Sequence, residues 1–246
     1  MSLNSTKRLS TPDTRQRLFG ATISSFAEKG YAATAVDEIC AKAGVTKGAF
    51  FHHFPSKQSL TIAAVNDWAE KCDAFYAAAA YHQFKDPLDR VLGFLDFRKE
   101  MLRAPMALIS CPVGTMIQEV FETHPDILRA CEECISGQVA TVESDIAAAI
   151  KLYGVGSQWT PKSLALHTHA VLQGIYILAK ANGNVEVAEE SIDHLRRYVE
   201  LLFRRPKTKR VSKQLTRGSG KIASASRGRK VPSSISRRSI KSRKKS

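Results

Sequence analysis

Lys47, His52, His53 and Lys57 fall within eleven residues, interleaved with Phe50, Phe51 and Phe54. Ammonium and imidazole donors at this spacing can do recognition chemistry, giving hydrogen bonds and charge to phosphate oxygens and base edges. Thr46, Lys47, Gly48 and Ala49 open the stretch. At the N-terminal end of a helix lying in a major groove, such residues reach base edges. Lys47 can donate to guanine O6 and N7, Ala49 can offer only a methyl, for example to thymine, and Gly48 lets the backbone come close. Other patterns that could carry chemistry are thin. Cys131 and Cys134 form C-x-x-C inside a long helical pattern, and no second ligand pair accompanies them. His167 and His169 have i,i+2 spacing, which splays two rings on a helix. No metal site or disulfide is expected. The sequence holds no G-x-S-x-G, no P-loop and no paired carboxylates in a glycine-rich setting, so we expect neither an enzyme nor a cofactor.

Two short helices and a tight turn must position these residues. Thr34 can cap the first, with Asp37 as its acidic partner, and Val36, Ile39, Cys40 and Ala43 recur on one face. Gly44 falls where a left-handed cap is needed, and Thr46 can cap the second helix. Pro55 stops that helix, and Ser56 can cap a third beginning at Lys57. Upstream, Thr11-Pro12-Asp13 reads as a helix start. Leu18, Phe19, Ile23, Phe26 and Ala27 form the stripe of a bracing helix that ends at Gly30, with Arg15 and Arg17 on its other side. Phe50 and Phe54 are core by spacing, while His53 suits packing and contact equally. Helix, glycine turn and cationic-aromatic helix make the plan of a helix-turn-helix reader of double-stranded DNA.

The stretch AGVTKGAFFHHFPSK, residues 43–57, resembles the A-G-V-[ST]-[KR]-G-[TA]-[LF]-Y-x-H-F-x-[SN]-K signature of TetR-family transcriptional regulators, and GYAATAVDEI upstream fits it too. The likeness is specific over about residues 11–60 and architectural beyond. It implies base or near-base contacts at Lys47 and Ala49, and phosphate contacts at Phe51, His52 and Lys57. At position 51 this chain departs from the family's tyrosine, and Phe51 has no hydroxyl to give. The resemblance further implies a helical ligand-binding and dimerisation domain after about residue 60, with the last two long helices forming a four-helix bundle with their mates. Ser110 to Glu119 is similar to the G-C-x-[LIV]-x-N-[LM]-x-x-E segment of one subgroup, some of whose members sense electrophiles or oxidants through cysteine. Serine and threonine replace its glycine and asparagine here. Cys111 is thus a sensor or an ordinary buried thiol.

The rest of the chain reads as helical throughout. Long helices are expected over about 57–80, 86–103, 124–154, 159–183 and 187–204, with a short one over 113–122 and a two-proline break over 104–112. No segment sustains period-two alternation, so the fold class is all-α with about nine helices: a three-helix DNA-binding unit over 11–57 (reading pair 35–54) and a helical domain over 58–204. Residues 1–10 are polar and expected to be disordered. Leu164, Leu166, Ala170, Val171, Gly174, Ile175, Leu178 and Ala179, with Ile192, Leu195, Val199, Leu202 and Phe203, leave broader apolar surfaces than a singly buried helix shows. They suit a homodimer or one thick monomeric core. Phe94, Phe97, Met101, Cys111, Met116, Phe121, Trp159 and Tyr176 are the candidate liners of an effector cavity, though aromatic residues and Met at helical spacing commonly serve as plain core.

Charge is unevenly spread. The chain has 37 Lys and Arg against 23 Asp and Glu, but residues 1–57 carry a net +4, residues 58–203 a net −7 and residues 204–246 a net +17 with no acid at all. The last stretch has too little apolar content to offset its ordering entropy, so 205–246 is expected to be a disordered basic tail. No apolar run reaches membrane-spanning length and no signal peptide is evident, which predicts a cytoplasmic protein with reduced thiols. These readings converge on a dimeric, effector-responsive regulator of transcription, most simply a repressor; the alternative is an architectural DNA-compacting protein driven by the tail. The tail makes one prediction. Deleting residues 206–246 should flatten the log–log salt dependence of DNA binding by several units, at about 0.9 per phosphate neutralised, while preserving the order of preference among operator variants. A salt titration of full-length and truncated protein on one duplex measures this, and equal slopes would show that the tail does not touch DNA.

Overall fold

The computed structural model describes residues 13–104, 109–155 and 158–203. The expectations for residues 1–12, including Thr11 and Pro12 at the first helix start, and for the basic segment 205–246 lie outside the described residues. Among the described residues there are nine α-helices and no strand: α1 Thr14–Lys29, α2 Val36–Ala43, α3 Lys47–His53, α4 Lys57–Ala77, α5 Pro87–Glu100, α6 Pro112–Val120, α7 Pro125–Tyr153, α8 Pro161–Asn182 and α9 Glu186–Phe203. Short 3-10 turns precede and follow α5. No described helix is long and apolar enough to cross a membrane.

The helix ends follow local chemistry. Asp13 accepts from the Gln16 amide at 2.8 Å, Thr46 from Ala49 at 3.1 Å and Ser56 from Ser59 at 3.1 Å, each satisfying an otherwise orphaned first-turn donor. Prolines at the first turn of α5, α6, α7 and α8 cost nothing there, because that position lacks an intrahelical partner in any case. Thr34 behaves otherwise than its spacing predicts. Its hydroxyl turns back to donate to the Gly30 carbonyl at 2.7 Å and is buried. Helix α2 begins one turn-residue later, capped from below by Glu38, whose carboxylate accepts the Ala35 amide at 2.9 Å.

Packing divides into two cores. One joins α5, the C-terminal part of α7, α8 and α9 around Leu95, Ile146, Leu172, Ile175 and Ile192. The other holds α1, α2 and α3 around Leu18, Phe26, Ile39 and Phe50, and it does not stop at the start of α4. Leu60, Ala64 and Val65 of α4, Val113, Met116 and Val120 of α6, and Ile127 and Cys131 of α7 belong to the same cluster. The three-helix unit expected over 11–57 is therefore sealed by side chains from far along the chain. Its polar seal is Glu119, whose carboxylate accepts the backbone amides of Tyr31 (3.2 Å) and Ala32 (2.8 Å) in the α1–α2 turn. Gly30 begins that turn at φ 85°, and a Cβ there would meet the Glu119 carboxylate at 2.1 Å, so both the backbone sign and the close approach require glycine.

Candidate DNA-reading face and cavity

Helices α2 and α3 are joined through Gly44 in the left-handed conformation, φ 63°, with the Val45 amide donating to the Cys40 carbonyl at 3.0 Å. Arg17 of α1 donates to the Ala43 and Gly44 carbonyls at 3.3 and 3.1 Å, closing the free end of α2. Phe50 is fully buried and Phe54 nearly so, their rings 6.4 Å apart and the Phe54 ring tilted against that of Phe19 at 5.8 Å. This inward face leaves Thr46, Lys47, Gly48, Phe51 and His52 exposed and Ala49 half-buried. Six of the eight sequence-named DNA contacts thus share the outer side of α3 and its cap. His53 is half-buried, with its ring 6.4 Å from Phe54 and 5.1 Å from His52. It joins the two sides, as its spacing allowed.

Lys47 is tethered in the free protein. Its ammonium lies 2.8 Å from Asp37 of α2, and that hydrogen bond raises its pKa, so it stays charged throughout the neutral range. Both side chains are largely exposed, and exposed pairs exchange readily for other partners. Lys57 takes a different place from the phosphate contact implied by the resemblance. Its ammonium donates to the Tyr31 and Thr34 carbonyls at 2.9 and 3.0 Å and sits 4.0 Å from the Tyr31 ring centroid. The cation is spent on the α1–α2 turn, where unpaired carbonyls would otherwise lie in a partly dry setting, and burial lowers its pKa. Substituting Lys57 therefore acts first on the geometry of the turn.

A cavity of about 300 Å³ opens between α4, α5, α7 and α8, lined by Trp68, Cys72, Phe75, Tyr76, Arg98, Met101, Cys111, Gln138 and Tyr176 among others. Of the eight liners named from sequence, Met101, Cys111 and Tyr176 are there. Five are not. Phe94 is buried in the core against Tyr76 and Tyr81. Phe97 packs its ring against those of Phe75, Tyr76 and Tyr81 behind the wall. Met116 is fully buried in the N-terminal core, Phe121 is exposed beyond the end of α6, and Trp159 packs at the far end of the bundle against Phe203. Helical periodicity marks which residues are apolar but not which of two inward faces meets a void. Five of the unnamed liners, Trp68, Lys71, Cys72, Phe75 and Tyr76, come from α4, and the helical spacing of Trp68, Cys72 and Phe75 was the available signal.

Cys111 sits at the N-cap of α6, where its sulfur accepts the Gly114 amide at 3.3 Å, half-buried at the cavity edge. Cys72, Cys131 and Cys134 lie nearby as free thiols, pushed by burial up to about 12, 12 and 11, so they stay protonated. Cys131 and Cys134 are both inside α7.

Known proteins agree with this geometry. Residues 18–64, from α1 into α4, match the family described as bacterial regulatory proteins, tetR family. An uncharacterised HTH-type transcriptional regulator of Lactococcus lactis is 22% identical over 184 residues, covering 75% of this chain and 92% of the relative. The HTH-type transcriptional repressor NemR of Escherichia coli is 21% identical over 196 residues, 76% of this chain and 94% of its own length. Among solved structures, a TetR transcriptional regulator from Chloroflexus aurantiacus superimposes with a TM-score of 0.68 at 27% identity, covering 76% of this chain and 94% of that one. Nine helices among the described residues, a paired reader with the signature residues on its outer side, and relatives that run nearly end to end place this chain in the TetR family of DNA-binding transcriptional regulators.

Proposed function

We propose that the protein is an effector-responsive repressor that acts as a homodimer on a palindromic operator. The observation that carries this reading is the position of α4. Three residues separate it from the reading helix, and its last three turns form a wall of the cavity. A 21-residue helix is about 30 Å long and stiff, so a small tilt imposed at the cavity is delivered to the reading face. Two heads set for successive major grooves, about 34–36 Å apart, would then no longer fit both half-sites. Effector and DNA oppose each other through one two-state element.

The dimer surface is the outer side of α8 and α9. Leu166, Ile177 and Leu178 on α8 and Tyr198 and Leu201 on α9 are exposed in the single chain, and the His167 and Tyr198 rings meet edge-on at 5.5 Å to make the two helices one face. Exposed Ala170 and half-buried Gly174 lie along it, where small residues let a second helix approach. A patch of this kind marks an interaction surface, and a palindrome calls for two-fold symmetry. Selection of genomic fragments by the purified protein, followed by footprinting, tests the reading. A palindromic site protected by two chains is expected; binding without sequence preference would refute it.

The exposed ring of Phe51 supplies a finer test. Phe51→Tyr places a hydroxyl on the outer side of α3, where the family pattern has one. It should tighten operator binding by roughly 0.5–1.5 kcal/mol per half-site, the ordinary net value of a hydrogen bond. Anisotropy titrations of both proteins measure the difference. Weaker binding by a folded variant would place the ring against protein rather than phosphate.

A further inference from the structure

Arg98 is the only charged side chain among the described residues that is buried. It projects from α5 into the cavity wall, and it has no carboxylate within ion-pair distance among the described residues. The remaining segments of the chain contain no Asp or Glu to serve it. Its two terminal nitrogens donate to the phenol oxygens of Tyr76 on α4 and Tyr176 on α8, and its Nε is buried without a partner. The rings of Tyr76, Phe94 and Tyr176 surround the guanidinium at 5.6–5.8 Å. Burial raises the Tyr76 pKa, so that hydroxyl is neutral and supplies a dipole but no charge. Nearby His169 is held neutral as well, pushed by burial and by Arg98 down to about 4.

A buried charge kept without a counter-ion is unfavourable, and the molecule gains by completing it. A planar guanidinium matches a carboxylate in two parallel hydrogen bonds. Around it the lining is mostly apolar, from Trp68, Phe75, Met101 and Pro112, and the volume is at the small end of ligand sites. Resting on the reading of this cavity as the effector site, we propose that it binds a small organic carboxylate with an apolar or aromatic body, and that Arg98 is the counter-ion. The carboxylate takes the guanidinium donors now given to the phenols. Tyr76 belongs to α4 and Tyr176 to α8, so that exchange releases the tie between the helix leading to the reading head and the helix of the dimer face.

The test uses matched acid and amide probes on full-length protein: benzoate with benzamide, cinnamate with cinnamamide, and octanoate with octanamide, by isothermal titration calorimetry. At least one acid should bind about tenfold or more tighter than its amide, as expected for a charge-assisted pair. Arg98→Met should abolish that preference, and Arg98→Lys, which keeps charge without the fork, should reduce it several-fold. Should Arg98→Met fail to fold, Arg98→Lys carries the comparison. Amides that bind as well as acids, no acid that binds, or a preference that survives both substitutions would overturn the proposal. Operator release, followed by anisotropy with the same compounds, separates the two readings. Arg98-dependent acid binding that leaves the operator bound would refute the effector role and keep the anion site. Release by the neutral amides alone would do the reverse.

Discussion

Replacing Ile177 with aspartate is expected to leave the single chain folded and to lower operator affinity by about a hundredfold or more. Ile177 is 59% exposed, so its own chain loses little packing. In a two-fold interface the change appears twice, facing itself or its near neighbours, and each copy puts an unpaired carboxylate into a dry surface. Without the dimer, each reading head must find its half-site independently, and the linkage that multiplies the two affinities is lost. Sedimentation should show monomers, while the thermal transition of the chain changes only as far as dimer linkage requires. A dimer that persists in Ile177→Asp would move the interface away from α8 and α9.

Lys47→Ala is the second large effect. The ammonium lies at the first residue of α3, exposed and tethered only to Asp37. Loss of a bidentate base contact costs about ten- to a hundredfold per half-site, and the palindrome contains two. The expected signature is a relaxed preference at one base pair in each half-site, measured by binding to a set of single-base operator variants. Uniform weakening with preference intact would make Lys47 a phosphate contact. Lys57→Ala differs in kind, since Lys57 holds the carbonyls of Tyr31 and Thr34 and its loss loosens the turn beneath both helices.

These contrasts show where sequence is a good guide. Caps and turns are decided within a few residues, so Gly44, Thr46, Ser56 and the proline starts of α5, α7 and α8 could be read directly, as could the outer and inner sides of α3. Thr34 misled because its hydroxyl had a second local partner in reach: the Gly30 carbonyl took it, and Glu38 rather than Asp37 reaches back to the backbone, at the Ala35 amide. Lys57 depends on a turn more than twenty residues earlier, and Glu119 on one nearly ninety earlier. Such contacts leave no periodic trace. The cavity was the least legible feature. Its aromatic and sulfur residues look like core, and Arg98, whose charge among apolar neighbours Phe94, Leu95 and Leu102 was the available signal, reads on a helix as one more solvated cation.

The shared N-terminal core has an evolutionary corollary. Since Val113, Met116, Val120 and Ile127 complete the packing around Phe26 and Ile39, and Glu119 closes the turn between them, the reading head is not a transplantable module. A hybrid regulator spliced at residue 57 would bring together two halves of an interior never fitted to each other. Heads and sensors built this way must diversify together, so a new operator preference is reached most readily by changing the outer side of α3 and leaving its foundations alone.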